Sequence, residues 1–155
     1  MKIAIASDHR GVSAKAALTL FLKELGHEVD DKGTHESSCC DYTDVAYVTG
    51  KAVASGETAM GILICGSGIG MSISANKIKG IRAALCHDEL SAELSRRHND
   101  ANILCLASDV MGEELMRRIV GNWLETEFEG DGRHGRRVRK IGCIEEGKNP
   151  ADLQE

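Results

Sequence analysis

The stretch ILICGSGIG, Ile62 to Gly70, ends an apolar run on a cysteine and follows it with glycines at 66, 68 and 70. Glycines at this spacing let the backbone turn tightly and aim its N–H groups at a ligand, and the helix that follows adds the partial positive charge of its first turn. That is the chemistry of an anion site. Cys65 at the mouth of such a loop would have its thiolate stabilised and can serve as base or nucleophile; it can equally be a core cysteine that finishes a strand. The spacing G-x-G-x-G falls short of the dinucleotide fingerprint, and no acidic residue closes a following strand to take a ribose hydroxyl.

Other polar clusters add to this. His9 lies in SDHRG, and His98 with Asn99 in SRRHNDAN. Histidine suits proton transfer near neutral pH, although a single histidine is as readily a surface or capping residue. Arg133 and Arg137, four apart where a helix begins, can clamp a phosphate as a pair or form a solvated basic face.

Positioning these residues falls to an alternating chain. KIAIAS reads as a first strand, and Leu18, Phe21, Leu22 and Leu25 mark one face of a helix that stops at Gly26. HEVDDKG is a weaker second strand, and Tyr42 to Ser55 is helical by composition. GILIC, IRAALC and NILCLA read as the third to fifth strands, with DELSAELSRRH a helix between the last two. Met116, Ile119, Val120, Trp123 and Leu124 repeat the helical stripe, and a last helix is expected over Arg136 to Glu146 after the glycine-broken turn EGDGRHG. The expected fold is a three-layer α/β/α sandwich on a five-stranded parallel sheet, whose ligands bind beyond the carboxyl ends of the strands.

Composition bounds the partners. The 155 residues suit one domain, 1–155, with a C-terminal helix and tail from about 130. A net charge of -5 argues against general affinity for nucleic acid or anionic membranes, the basic run GRHGRRVRK being local. No apolar run reaches membrane-helix length and the start MKIAIASDHRG lacks a signal-peptide core, so the expected location is cytoplasmic. The six cysteines form no CxxC pair and are expected to be reduced thiols, with Cys86, Cys105 and Cys143 as packing residues. Cys39 and Cys40, with His35 upstream, match no recognised zinc spacing; no metal is expected.

Taken together and in order, SDHRG, DKGTH, CDYTD, GILICGSGIGMSISANKIKGIRAALC, LSRRHNDANIL and EGDGRHGRRV resemble ribose-5-phosphate isomerase type B, over Lys2 to about Ile144. That group includes galactose-6-phosphate and allose-6-phosphate isomerases. The resemblance implies interconversion of ribose 5-phosphate and ribulose 5-phosphate through a cis-enediolate without metal or cofactor. It further implies a Rossmann-like five-stranded parallel sheet of strand order 2-1-3-5-4 and a homodimer, sometimes paired into tetramers, with each active site shared between subunits. Carried over by position, Cys65 is the proton-shuttling base, Ser67 the hydroxyl near that exchange, and the N–H groups from Gly66 through Gly68 to Gly70 the hold on the enediolate oxygen. His98 opens the furanose ring, and Asn99, Asp8, Asp41 and Tyr42 line the sugar. His9, Arg133 and Arg137 form the phosphate clamp.

Three positions depart from the pattern. Asp109, in LASDVMG, stands where many relatives carry an arginine that touches phosphate, and an acid there is expected to repel it or move the contact to a neighbour such as Arg136. Thr43 replaces a frequent proline, and EGDGRH is one residue longer than usual. The alternatives are a six-carbon aldose phosphate as substrate, a non-catalytic sugar-phosphate-binding module, or a redox or persulfide carrier on Cys65. The last lacks a nearby resolving cysteine in sequence.

Overall fold

A computed structural model of the protein describes residues 1–36 and 38–153. Strand β1 (Lys2–Ser7) is followed by α1 (Val12–Glu24), β2 (Glu28–Asp31), α2 (Tyr42–Ala54), β3 (Met60–Cys65), α3 (Ile69–Ala75) and β4 (Ala83–Leu85). Helix α4 (Glu89–Asn99), β5 (Ile103–Ala107), α5 (Glu113–Glu125) and α6 (Gly132–Glu145) complete the chain before a short 3-10 turn at Pro150–Asp152. The five strands are all parallel in the order β2-β1-β3-β5-β4, the order the resemblance implies.

Strand pleat decides which face each side chain covers. Ile3, Ile5, Ile62, Ile64, Leu104 and Leu106 point to one face, where Leu18 and Leu22 of α1 and Met116, Ile119, Val120 and Trp123 of α5 bury them. The alternate residues Ala6, Leu63, Cys65, Ile103 and Cys105 meet Ala46 and Val53 of α2 and Met71 and Ala75 of α3. Both faces being covered explains why β1, β3 and β5 read as continuous apolar runs. Cys65 therefore sits on the α2/α3 side, in the last residue of its strand.

Two expectations need correction. Strand β4 is Ala83–Leu85 rather than the whole of IRAALC, because the Arg82 N–H goes to the Asn102 side chain and the outer edge at Ala83 is closed by Asn76, whose amide meets both its N–H (2.9 Å) and its C=O (2.8 Å). The last helix begins at Gly132, four residues before Arg136. Gly135 belongs to its first turn because a Cβ there would collide with the Gly130 carbonyl: the glycine permits close packing and does not break the helix.

Cys86 and Cys105 are buried as expected, and burial pushes both thiols up, so they stay protonated. Among the described residues no helix is long and apolar enough to cross a membrane.

Candidate active site

The carboxyl ends of β1, β3 and β5 converge on the glycine loop. The Asp8 N–H reaches the Ile64 carbonyl (3.1 Å), while Ser108 N–H and Asp109 N–H take the carbonyls of Cys65 (2.9 Å) and Gly66 (3.0 Å). Those bonds occupy the carbonyls of Ile64, Cys65 and Gly66. Gly68 N–H donates to Cys65 Sγ at 3.1 Å and Ile69 N–H to Ser67 Oγ at 3.3 Å. The N–H groups of Ser67 and Gly70 have no acceptor among the described residues. A sulfur that accepts a backbone N–H beside further unpaired N–H groups is placed where negative charge is welcome.

The glycines are required sterically. Gly68 has φ +72°, and a Cβ would meet Leu85 and the Leu106 carbonyl; at Gly70 a Cβ would lie 2.5 Å from the Tyr42 ring. Tyr42 thus seals one side of the loop with the start of α2. Asp41, exposed, is the N-cap of that helix.

Asp8 is buried, and its Oδ1 accepts the N–H groups of Arg10 (2.9 Å) and Gly11 (3.2 Å), which shapes the entry to α1. The loop after β2 is brought alongside by the buried Lys15, whose Nζ meets Asp31 at 2.5 and 2.7 Å; Asp31 Oδ1 accepts the Gly33 N–H, and Gly33 O accepts that of Ser7. Further along this loop Cys40 N–H points at His9 Nδ1 over a long 3.5 Å. Asp8, His9, Asp41, Tyr42, Cys65, Gly66, Ser67, Gly68 and Gly70 are therefore gathered at one end of the sheet.

His98, Asn99, Arg133 and Arg137 are not. Helix α4 starts after β4 and runs back to the amino edge, where Asn102 O accepts the N–H of Gly61 at the start of β3. Four strand steps of about 3.3 Å separate Gly61 from Cys65, so the end of α4 lies about 13 Å down the sheet from the sulfur's level. At that second end the His98 and His134 rings stack at 4.0 Å and 6°. Arg133 Nε donates to His134 Nε2 at 3.2 Å, and Glu129 is held by Arg97 (2.9 Å). The expected clamp of His9 with Arg133 and Arg137 does not form within one chain. A cavity of about 400 Å³ near this end, lined by Ile81, Arg82, Asn99, Ile141 and Ile144 among others, does not reach Cys65.

His98, Glu129 and His134 bring ligand-type atoms within 4.8 Å of one another. The cluster is nonetheless a poor cation cradle. Parallel rings hold their lone pairs in separate planes, His134 Nε2 and Glu129 already accept from arginines, and Arg133 and Arg137 add positive field.

His134 was not among the sequence candidates, and no spacing rule connects it to His98, thirty-six positions away. Burial first, then the charge of His98 and Arg133, holds its pKa below the ordinary imidazole value of 6.5. A histidine kept neutral in the fold is protonated more readily when unfolded, so stability is full above about pH 6.5 and is lost as pH falls through the depressed folded value. His27, lowered by burial and by the N-terminal ammonium, contributes with the same sign. The urea midpoint should therefore drop between about pH 7 and pH 5, and His134→Asn should flatten that drop in part. Equal slopes for the two proteins would contradict the assignment.

Asp109, expected to repel phosphate, does not stand as an unmatched acid: Arg10 Nε reaches both of its carboxylate oxygens, at 2.7 and 3.0 Å.

Residues 3–141 match the family described as Ribose/Galactose Isomerase. Ribose-5-phosphate isomerase B of Escherichia coli is 49% identical over 148 residues, covering 96% of this chain and 99% of its own. D-erythrulose-4-phosphate isomerase of Pectobacterium atrosepticum is 43% identical over 148 residues, covering 94% and 95%. The structure of Clostridium thermocellum ribose-5-phosphate isomerase B superposes with a TM-score of 0.93 at 51% identity, covering 95% of this chain and 99% of that one.

Proposed function

The chain belongs to the ribose/galactose isomerase family, and from that premise we propose that it is an aldose–ketose isomerase interconverting D-ribose 5-phosphate and D-ribulose 5-phosphate. The observation that carries the reading is the meeting of Cys65 Sγ with the Gly68 N–H at a loop where the Ser67 and Gly70 N–H groups have no acceptor among the described residues.

The chemistry follows from what a sugar phosphate demands. A hydrogen beside a carbonyl is only weakly acidic, so its removal needs a base and, at the same moment, stabilisation of the oxygen that gains charge. The Cys65 thiolate takes the hydrogen from C2 and returns it to C1, while the loop N–H groups and Ser67 hold the enediolate. One proton leaves C2 and one is delivered to C1, and the thiol exchanges its proton with solvent in between, so no electron acceptor enters the balance. Because the sugar rests mainly as a closed ring, His98 first moves a proton between the ring oxygen and the anomeric hydroxyl. Asp8, Asp41, Tyr42 and Asn99 bind hydroxyls. His9, Arg133 and Arg137 take the phosphate, whose binding energy is remote from the reacting carbons.

Since the two groups of residues occupy opposite ends of one chain's sheet, a second copy must complete each site, as an isologous dimer allows. Exposed apolar side chains support such a surface on both partners: Tyr47 and Ile73 on α2 and α3, Ile141 and Ile144 on α6. Six free cysteines suit a reducing cytoplasm.

Turnover across aldose phosphates of four, five and six carbons tests the reading. The kcat/KM for ribose 5-phosphate should exceed the others by at least about tenfold, the discrimination a differently sized substrate permits. A preference for a six-carbon or four-carbon sugar would move the substrate, and binding without turnover would make the protein a sensor.

A further inference from the structure

Arg10 follows β1 and Asp109 follows β5, and their side chains meet across the first glycine of the loop. The contact is close: a Cβ on Gly66 would lie 3.1 Å from Arg10 Cδ and Nε and 2.5 Å from Asp109 Oδ2. Both residues are anchored through their backbones, Arg10 N–H on Asp8 Oδ1 and Asp109 N–H on Gly66 O. The pair itself is largely exposed, with side chains 57% and 40% accessible, and exposed pairs of this kind add little to stability. Stability therefore does not account for its position one residue from Cys65.

The bonding is lopsided. Asp109 engages only Nε, so Nη1 and Nη2, which carry four of the five guanidinium N–H bonds, have no partner among the described residues. Beside them lies a cleft of about 200 Å³ lined by Arg10, Ser13, Ser108 and Glu113 among others. Ser108 also donates to the Cys65 carbonyl, at 3.1 Å, so the cleft abuts the backbone of Cys65 from the α1/α5 side. The charge of Glu113 is matched by Arg117 at 3.0 Å. A guanidinium fixed at its Nε edge, with its planar fork left open beside two hydroxyls, is prepared for a tetrahedral oxyanion.

We propose that Arg10 binds the phosphate of the substrate on the Cys65 side of the site, with Asp109 as the positioning residue that holds its fork open. This rests on the sugar-phosphate isomerase reading and adds to it a contact made by the chain that supplies the thiol. Asp109 thus acts through Arg10 rather than against the ligand.

The test is Arg10→Ala, Asp109→Ala and the double variant, assayed for kcat and KM with ribose 5-phosphate and for calorimetric binding of inorganic phosphate. Loss of a charge-assisted contact should raise KM and the phosphate Kd about 10- to 100-fold in Arg10→Ala and leave kcat within about threefold. Asp109→Ala should change KM in the wild-type background and have no further effect once Arg10 is gone. KM and phosphate Kd within about twofold of wild type in Arg10→Ala would overturn the proposal, as would additive effects in the double variant. If the wild type turns over no sugar phosphate, the isomerase reading fails by itself, and phosphate binding by Arg10→Ala still decides this contact.

Discussion

Cys65→Ala should lose isomerisation by roughly 10²- to 10⁴-fold in kcat, the usual contribution of a positioned proton-transfer group. Sugar-phosphate binding should persist, because every contact proposed for the phosphate and hydroxyls lies on other residues. The fold should persist too: the substitution removes one buried sulfur at the end of β3 and costs on the order of 1 kcal/mol. In deuterated water the wild type should place solvent deuterium on the carbon that regains hydrogen, and Cys65→Ala should place none. Turnover of Cys65→Ala within about tenfold of wild type would remove Cys65 from the base role, since a bystander thiol is worth little in ΔG‡. The remaining core thiols are no substitute, as Cys86 and Cys105 are held protonated by burial and face packed interior.

Much of this was legible in the chain because the physics is local. Apolar runs of five or six residues alternating with stripes such as Leu18–Phe21–Leu22 can only be strands and helices of a covered parallel sheet, and β1, β3 and β5 lie where the runs are. The glycine loop was equally plain, since steric need for glycine at 68 and 70 is written in the residue itself. What the sequence hides is pairing at distance. Arg10 and Asp109 are ninety-nine positions apart, and without its partner the acid reads as an obstacle to phosphate. His134 sits inside a conspicuous basic run, yet its stacking on His98 has no signature in spacing. The start of α6 is hidden for a related reason: glycines 132 and 135 read as helix breakers, whereas Gly135 lets the first turn close on the Gly130 carbonyl. Motif reading also collects residues without saying at which end of the sheet each stands. A residue at the carboxyl end of a crossover helix returns to the amino edge of the strands, and that simple geometry sends His98 away from Cys65.

The proposed completion of each site by a second copy makes a second large prediction, and it is the most direct test of the account. Cys65→Ala and His98→Ala should each be nearly inactive on the closed-ring sugar as homodimers. A heterodimer of the two, purified through two different tags, has one site that lacks both groups and one that is intact, so it should recover about half the wild-type turnover per dimer. The converse heterodimer, wild type with a chain carrying both substitutions, has no intact site and should be inactive. Recovery in the first and silence in the second is the result predicted. An inactive first heterodimer with a half-active second would mean that Cys65 and His98 of one chain serve the same site, and the account would be wrong.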